Sequence, residues 1–284
     1  MAIFSNQATL TYNGNTTNSN IAYGEILDRL TVSKTAIEGV YAPGELVTYA
    51  VTFRNTGNAS INAFTVSDNL GGYDVGGTTV YPLTYEDGSA TLFIDGVLQP
   101  APAVTAGPPL VISGISLAGG SDAVLIYQAR ANAFADPSAD GVIENTVTVT
   151  CAGLTTPITA SETVTAVTGP NLAITKSIAP SQVVDNDRVS YTFVIQNSGN
   201  QALVATDDAV ITDTFDPILS ALTVTFNGEA WTEGVEYNYN EATGLFSTVP
   251  THITVPAATY TQDPVTGAYS ITPGIATLVV TGTI

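Results

Sequence analysis

Apolar residues alternate with threonine and other polar residues over much of this chain, in short runs broken by Gly, Pro, Asn and Asp. Tyr49, Val51 and Phe53 share one face of such a run, and Tyr191, Phe193 and Ile195 share one face of another. A period of two between turn signals predicts half-buried strands joined by turns. The runs also repeat. Leu30 and Lys34 are answered by Leu172 and Lys176, and residues 44–58 by 186–200. The step from lysine to tyrosine is fifteen positions in each repeat. Each repeat then carries Asn-x-Gly-Asn as a turn, at Asn55 and at Asn197. Residues 64–68, ending in Asp68, are answered by 210–213, ending in Asp213. The middle regions 73–109 and 217–266 diverge but keep strand patterns, for example at 91–94 and 222–226. The repeats realign at 123–130 and 276–283. Short strands, turn signals and an internal repeat predict an all-β chain of two tandem β-sandwiches, 28–168 and 169–284.

The first 27 residues do not belong to either repeat. Residues 4–26 read as a β-hairpin that nearly copies 143–164, the hairpin closing the first repeat. Asn6 falls on Asn145, Ala8 on Val147, Leu10 on Val149, Gly14 on Gly153, and Thr16 and Thr17 on Thr155 and Thr156. With a slightly longer turn, Ile21 falls on Ile158 and Glu25 on Glu162. The second repeat runs to Ile284 without a closing hairpin of its own. A sandwich without that pair leaves a strand edge and an apolar groove open, and each uncovered core side chain forfeits ~1.5–3 kcal/mol. The N-terminal hairpin has the alternation to fill such a gap, with Phe4, Ala8, Leu10 and Tyr12 on one arm and Ile21 and Tyr23 on the other. The join from hairpin to first sandwich, 26–30, spans at most ~20 Å. It is at least as short as the inner join, 165–171. Filling a neighbour's second sandwich therefore needs only a copy of the inner junction. Such head-to-tail strand donation between copies of the chain builds an open filament.

Composition narrows the partners. Only 11% of residues are charged, yet the net charge is −19, which argues against nucleic acid and anionic membrane surfaces. No apolar run is long enough to span a bilayer. Met1 leads directly into a strand pattern, with no leader and no sorting tail expected. The single cysteine, Cys151, is expected to be a buried structural thiol.

The chain has only two lysines, Lys34 and Lys176, at equivalent places in the repeats. An aspartate follows each on a later strand, Asp68 or Asp213, and an asparagine opens each closing hairpin, Asn145 or Asn6. Lys, Asp and Asn on first, middle and last strands resemble the arrangement of isopeptide-forming sandwich domains. That resemblance implies that a desolvated lysine attacks the asparagine carbonyl, the aspartate shuttles protons and ammonia leaves. The same residues fit a buried Lys–Asp ion pair with asparagine as a hydrogen-bond partner.

Other groups offer less. The acidic runs 185–187 and 207–208 lack calcium-loop spacing, so no metal is expected. His252, the only histidine, lies in an expected strand without a nucleophile elbow, and Trp231 is expected to pack on the sandwich. No cofactor site and no enzyme constellation stand out.

The segments Leu-x-x-x-Lys, Gly/Asn-x-x-Val-x-Tyr through Asn-x-Gly-Asn, and Val-x-Asp or Ile-Thr-Asp resemble the repeat domain of bacterial surface proteins long labelled "domain of unknown function eleven". The resemblance implies immunoglobulin-like sandwiches in tandem on a cell envelope. The overall design is similar to donor-strand filament subunits, such as the pili and spore appendages of Gram-positive bacteria. It implies an extracellular structural protein of the cell or spore surface. The rival expectation is a surface adhesin or ligand-binding module whose hairpin closes its own second domain.

Overall fold

The computed structural model describes residues 2–26, 29–152, 154 and 156–284. The protein is all-β and divides into two compact units, one built mainly on residues 1–136 and 141–165, the other on 166–263 and 268–284. Gly153 and Thr155, two members of the expected hairpin match, lie outside the described residues.

In the first unit two sheets pack face to face. One has Leu30–Ala36 at its edge, followed by Leu46–Asn55, Asp122–Ala131 and Thr91–Ile94. The other runs Ala103–Thr105, Leu110–Leu117, Ile61–Asp68, Val142–Thr150 and Ile158–Ala166, ending on Val40–Tyr41. The pairings among the long strands are antiparallel, and the alternation read from the sequence supplies the inner faces. Tyr49, Val51, Phe53 and Tyr127 of one sheet and Phe64, Val66, Ile112, Val147 and Val149 of the other are fully buried. The rings of Phe53 and Phe64 meet between the sheets at 5.1 Å.

The second unit repeats the first sheet. Leu172–Ala179 pairs with Arg188–Asn197, which pairs with Gly274–Thr283, then Ser220–Phe226. Its facing sheet is shorter: Tyr237–Asn240, Leu245–Thr248 and Thr212–Thr214, in that order. Tyr191 and Phe215 meet at 4.8 Å between the layers. In the first unit, Ile61–Asp68 is bonded on both sides, by Leu110–Leu117 and by Val142–Thr150. Among the described residues the equivalent Thr212–Thr214 is bonded only by Leu245–Thr248, so its outer edge is open there. The aspartate strand also shrinks from eight residues to three. Val210 and Ile211, expected in the strand, lie outside it. A strand flanked on one side alone has fewer ladder bonds to hold it extended.

The asparagine turns clamp both units. Asn55 is buried; its amide donates to the carbonyls of Ala59, Leu117 and Ala118 and accepts from Gly57 N–H. Asn197 repeats this with Gln201, Pro256 and Gly199. At Gly199 an added Cβ would lie 2.2 Å from the Gly169 carbonyl oxygen, so only glycine lets the chain pass this closely.

The N-terminal segment is the expected hairpin. Ala2–Asn6 pairs with Ala22–Ile26, and Thr9–Tyr12 with Asn15–Asn18. Side chains 4–23 are all exposed, including Phe4, Leu10, Tyr12, Ile21 and Tyr23. Phe4 lies across Gly24, where an added Cβ would fall 2.2 Å from the ring. Gly24→Val should therefore displace this ring, read as a shifted Phe4 resonance with unit stability unchanged.

Candidate functional site: two lysine–aspartate sites in different surroundings

Lys34 leaves an edge strand and points between the sheets of the first unit. Its Nζ lies 2.7 Å from Asp68 Oδ2, with the two side chains 0% and 2% exposed. The hydroxyl of Tyr127 donates to the same oxygen, and Leu70 N–H donates to Oδ1 at 2.7 Å. Nζ also lies 4.5 Å from the Tyr49 ring centroid, and Tyr49 stacks on Tyr127. Asn145 comes from Val142–Thr150, the strand that zips onto Ile61–Asp68 with Val147 opposite Asp68. It is fully buried beside the hydroxyls of Tyr49 and Tyr127. Neither of its amide atoms makes a hydrogen bond of good geometry, nor does the Tyr49 hydroxyl. Burial of an unsatisfied amide costs on the order of 1–3 kcal/mol, so this side chain sits there at a penalty.

Desolvation pushes the Lys34 amine down from 10.5 to about 8, against the opposing pull of Asp68 and, more weakly, Glu162. Desolvation likewise raises the phenols of Tyr49 and Tyr127. The site therefore holds a lysine with a facilitated loss of its proton, a carboxylate next to it and an unpaired amide in the same dry pocket.

The lysine effect can be measured in an Asn145→Ala chain, where the amine has no amide to attack. Because the folded-state value lies below the unfolded one, the unfolded chain binds more protons between pH 8 and 10.5. Stability should climb across that window by on the order of 3 kcal/mol. Subtracting the urea unfolding curve of the Lys34→Met/Asn145→Ala chain removes other titrations. A flat difference across the window would show that Lys34 keeps its charge on burial.

In the second unit Lys176 contacts Asp213 Oδ2, but the side chains are 39% and 19% exposed. Its Nζ sits among the rings of Tyr191, Phe215 and Phe193, at 4.5, 5.3 and 5.5 Å. Tyr191 occupies the register of Tyr49, while Val280 stands opposite it where Tyr127 stands opposite Tyr49. All eight residues of Leu172–Ala179 are exposed, with Leu172 at 42%, Ile174 at 52% and Ile178 at 42%. Leu30, the counterpart of Leu172, is 2% exposed. The difference lies in what covers the strand, since Val142–Thr150 and Ile158–Ala166 have no counterpart among the described residues of the second unit.

Asn6 stands on the exposed hairpin, paired across with Ala22, whereas Asn145 is paired with Glu162. This corrects the expected match of Glu25 with Glu162, since Glu25 stands opposite Ile3. The pairing sums shift by one between Asn6↔Ala22 and Thr9↔Asn18, an extra residue on the returning arm, as in a bulge.

The remaining candidates have structural places. Asp187 and Asp207 accept the N–H groups of Val184 and Val204 and so cap turns. Trp231 stacks on Phe226 at 4.9 Å, with the His252 ring edge-on at 6.3 Å. His252 is not in a strand as expected; its segment has no regular structure and is joined to Leu203 through a bridge at Val255. Cys151 is half-buried rather than buried, because it falls where the closing hairpin turns. No group of three metal-ligating side chains occurs among the described residues. No helix of the described residues is long and apolar enough to cross a membrane.

No family model and no curated protein matches the chain. Among solved structures it is similar to the major pilin subunit BcpA of Bacillus cereus, at 12% identity over 96% of this chain and 73% of that one, with a TM-score of 0.38. It is similar to a 35 kDa C-terminal fragment of the major pilin GBS80 of Streptococcus agalactiae, at 11% identity over 87% and 91%, with a TM-score of 0.37. It also resembles the collagen-binding subdomain ACE19 of the Enterococcus faecalis surface protein ACE, at 8% identity over 50% and 99%, with a TM-score of 0.31. At scores below one half these likenesses carry no weight for function, which has to be read from the chain's own geometry.

Proposed function

We propose that the chain is a structural subunit of an extracellular filament on a bacterial cell or spore surface, polymerising head to tail by donating its N-terminal hairpin to a neighbour's second sandwich. One observation carries the reading. The same chain holds a hairpin with exposed side chains that matches the closing hairpin at Asn6, Gly14, Thr16 and Thr17, and a sandwich whose closing-hairpin edge is open. The first unit supplies the register. Val147 stands opposite Asp68 and Val149 opposite Val66, so the neighbour's Ala8 goes opposite Asp213 and its Leu10 opposite Ile211. Phe4 then takes the place of Ile143, and Asn6 that of Asn145.

The lysine sites add covalent seams to this reading. The Nζ of Lys34 attacks Cγ of Asn145, the new C–N bond replaces the C–NH2 bond, and ammonia leaves with the proton that Asp68 relays. Lys176, Asp213 and the neighbour's Asn6 do the same between subunits. Each bond lowers the mass by about 17 Da, one ammonia.

The test is sizing chromatography at two concentrations, with the whole chain and with a chain lacking residues 1–27. Large, concentration-dependent polymers that vanish on truncation are expected. A monomer of unchanged size in both would overturn the reading in favour of a self-closed surface module.

A further inference from the structure

The two lysine sites place an equivalent lysine and aspartate at matching positions of the repeats but differ in exposure to water. In the first unit Lys34 and Asp68 are 0% and 2% exposed, Tyr127 donates to the shared carboxylate oxygen, and Asn145 is already in place on the neighbouring strand. Nothing further has to arrive. In the second unit the lysine is 39% exposed, Val280 replaces the tyrosine, and no strand among the described residues stands where the asparagine strand would.

Amide formation needs a carbonyl within reach of the amine and a site closed to water. The open site holds a positioned lysine with no asparagine strand beside it among the described residues of the second unit. A closing hairpin changes both conditions together, because it brings the asparagine and removes the water. The first unit shows the covered state, where the same Lys–Asp pair lies beneath Val142–Thr150 and Ile158–Ala166 and is dry.

We propose that the Lys176 site is a docking-triggered cross-linker: it is inert in the free subunit and is switched on by burial under a neighbour's hairpin, so that non-covalent docking always precedes the covalent seam. This rests on the donated-hairpin reading above. The reaction balances within the two chains. The proton moves from the Lys176 ammonium to Asp213, the freed amine attacks Cγ of the neighbour's Asn6, and the departing amide nitrogen takes one proton from the attacking nitrogen and one back from Asp213, so that it leaves as ammonium and Asp213 ends as it began. No further reactant is needed. The order has a use for assembly. A misplaced hairpin that leaves Lys176 wet remains reversible, and only a seated one becomes permanent.

The whole chain provides the test, since it has just two lysines to follow. Dilute monomer is pulsed with an acetylating reagent and digested for mass analysis. Lys176 should be acetylated and Lys34 spared. On concentrating the protein, Lys176 should become protected, and a detergent-resistant ladder should appear at a rate that rises in proportion to subunit concentration. The Asn6→Ala chain should still polymerise and still protect Lys176, but its polymers should dissolve in hot detergent to monomers. A ladder or an ammonia loss at Lys176 that proceeds at the same rate at every dilution would overturn the trigger while leaving the filament standing. So would polymers in which Lys176 is acetylated as fast as in the monomer. Failure of the whole chain to polymerise at any concentration would instead remove the donated hairpin, and the trigger with it.

Discussion

Replacing Asp68 by alanine will destabilise the first sandwich by about 3–5 kcal/mol. The same change at Asp213 will move the second by less than about 1 kcal/mol in the free subunit. The two aspartates hold equivalent lysines, so the contrast isolates burial. Alanine at position 68 leaves the Lys34 ammonium, which is 0% exposed, without a counter-charge and strips the Tyr127 hydroxyl and Leu70 N–H of their acceptor. At position 213 water can replace the carboxylate around a lysine that is 39% exposed. The measurement is amide hydrogen exchange of Leu46–Asn55 and Arg188–Asn197 in dilute monomer. It is made in an Asn145→Ala background, so that no lysine–asparagine amide contributes. Lys34→Met combined with Asp68→Leu should recover most of the loss, since a buried ion pair is often no more stabilising than apolar residues of similar volume. Equal losses at the two aspartates would mean that the first pair is effectively as wet as the second.

Much of this was legible in the chain itself, for identifiable reasons. Strands with one buried face declare themselves by period two, so Leu46–Asn55 and Arg188–Asn197 could be read directly from Tyr49-Val51-Phe53 and Tyr191-Phe193-Ile195. The internal repeat then exposed the lysines as a matched pair and the hairpin as a surplus copy. What stayed hidden depended on pairings between distant strands. Tyr127 reaches Asp68 only because Asp122–Ala131 lies beside Leu46–Asn55 with Tyr127 opposite Tyr49. The repeat comparison could not flag it, because its counterpart is Val280. Glu25 was set against Glu162 by assuming a longer turn, whereas the extra residue sits further down the hairpin, as a one-residue shift in the pairing near Ala8 and Ser19. Val210 and Ile211 have strand chemistry but lack a strand partner on their outer side, and local propensity cannot report a missing neighbour.

Mixing two single-defect chains should give a one-to-one pair and nothing larger. The first lacks residues 1–27 and keeps the groove. The second keeps the hairpin but carries Ile174→Arg in the groove. Neither change should unfold its host: among the described residues the hairpin's strands pair only with each other, and Ile174 is 52% exposed. In a docked joint, however, the arginine would lie under the neighbour's hairpin without a partner. If its burial costs about 4 kcal/mol, docking weakens by roughly a thousandfold. Each variant alone is then monomeric for a different reason, one without a donor and the other without an acceptor. Together they form a single joint, because the truncated chain has a groove for the intact hairpin and neither can extend further. Light scattering after size separation reads this directly. Two unmixed monomer peaks would rule out donation in trans, since hairpin and groove would be present and unobstructed on different molecules. Continued polymerisation of either variant alone would place the joint elsewhere on the chain. A heterologous contact that does not close on itself must stop after one step when each molecule retains only one of the two surfaces.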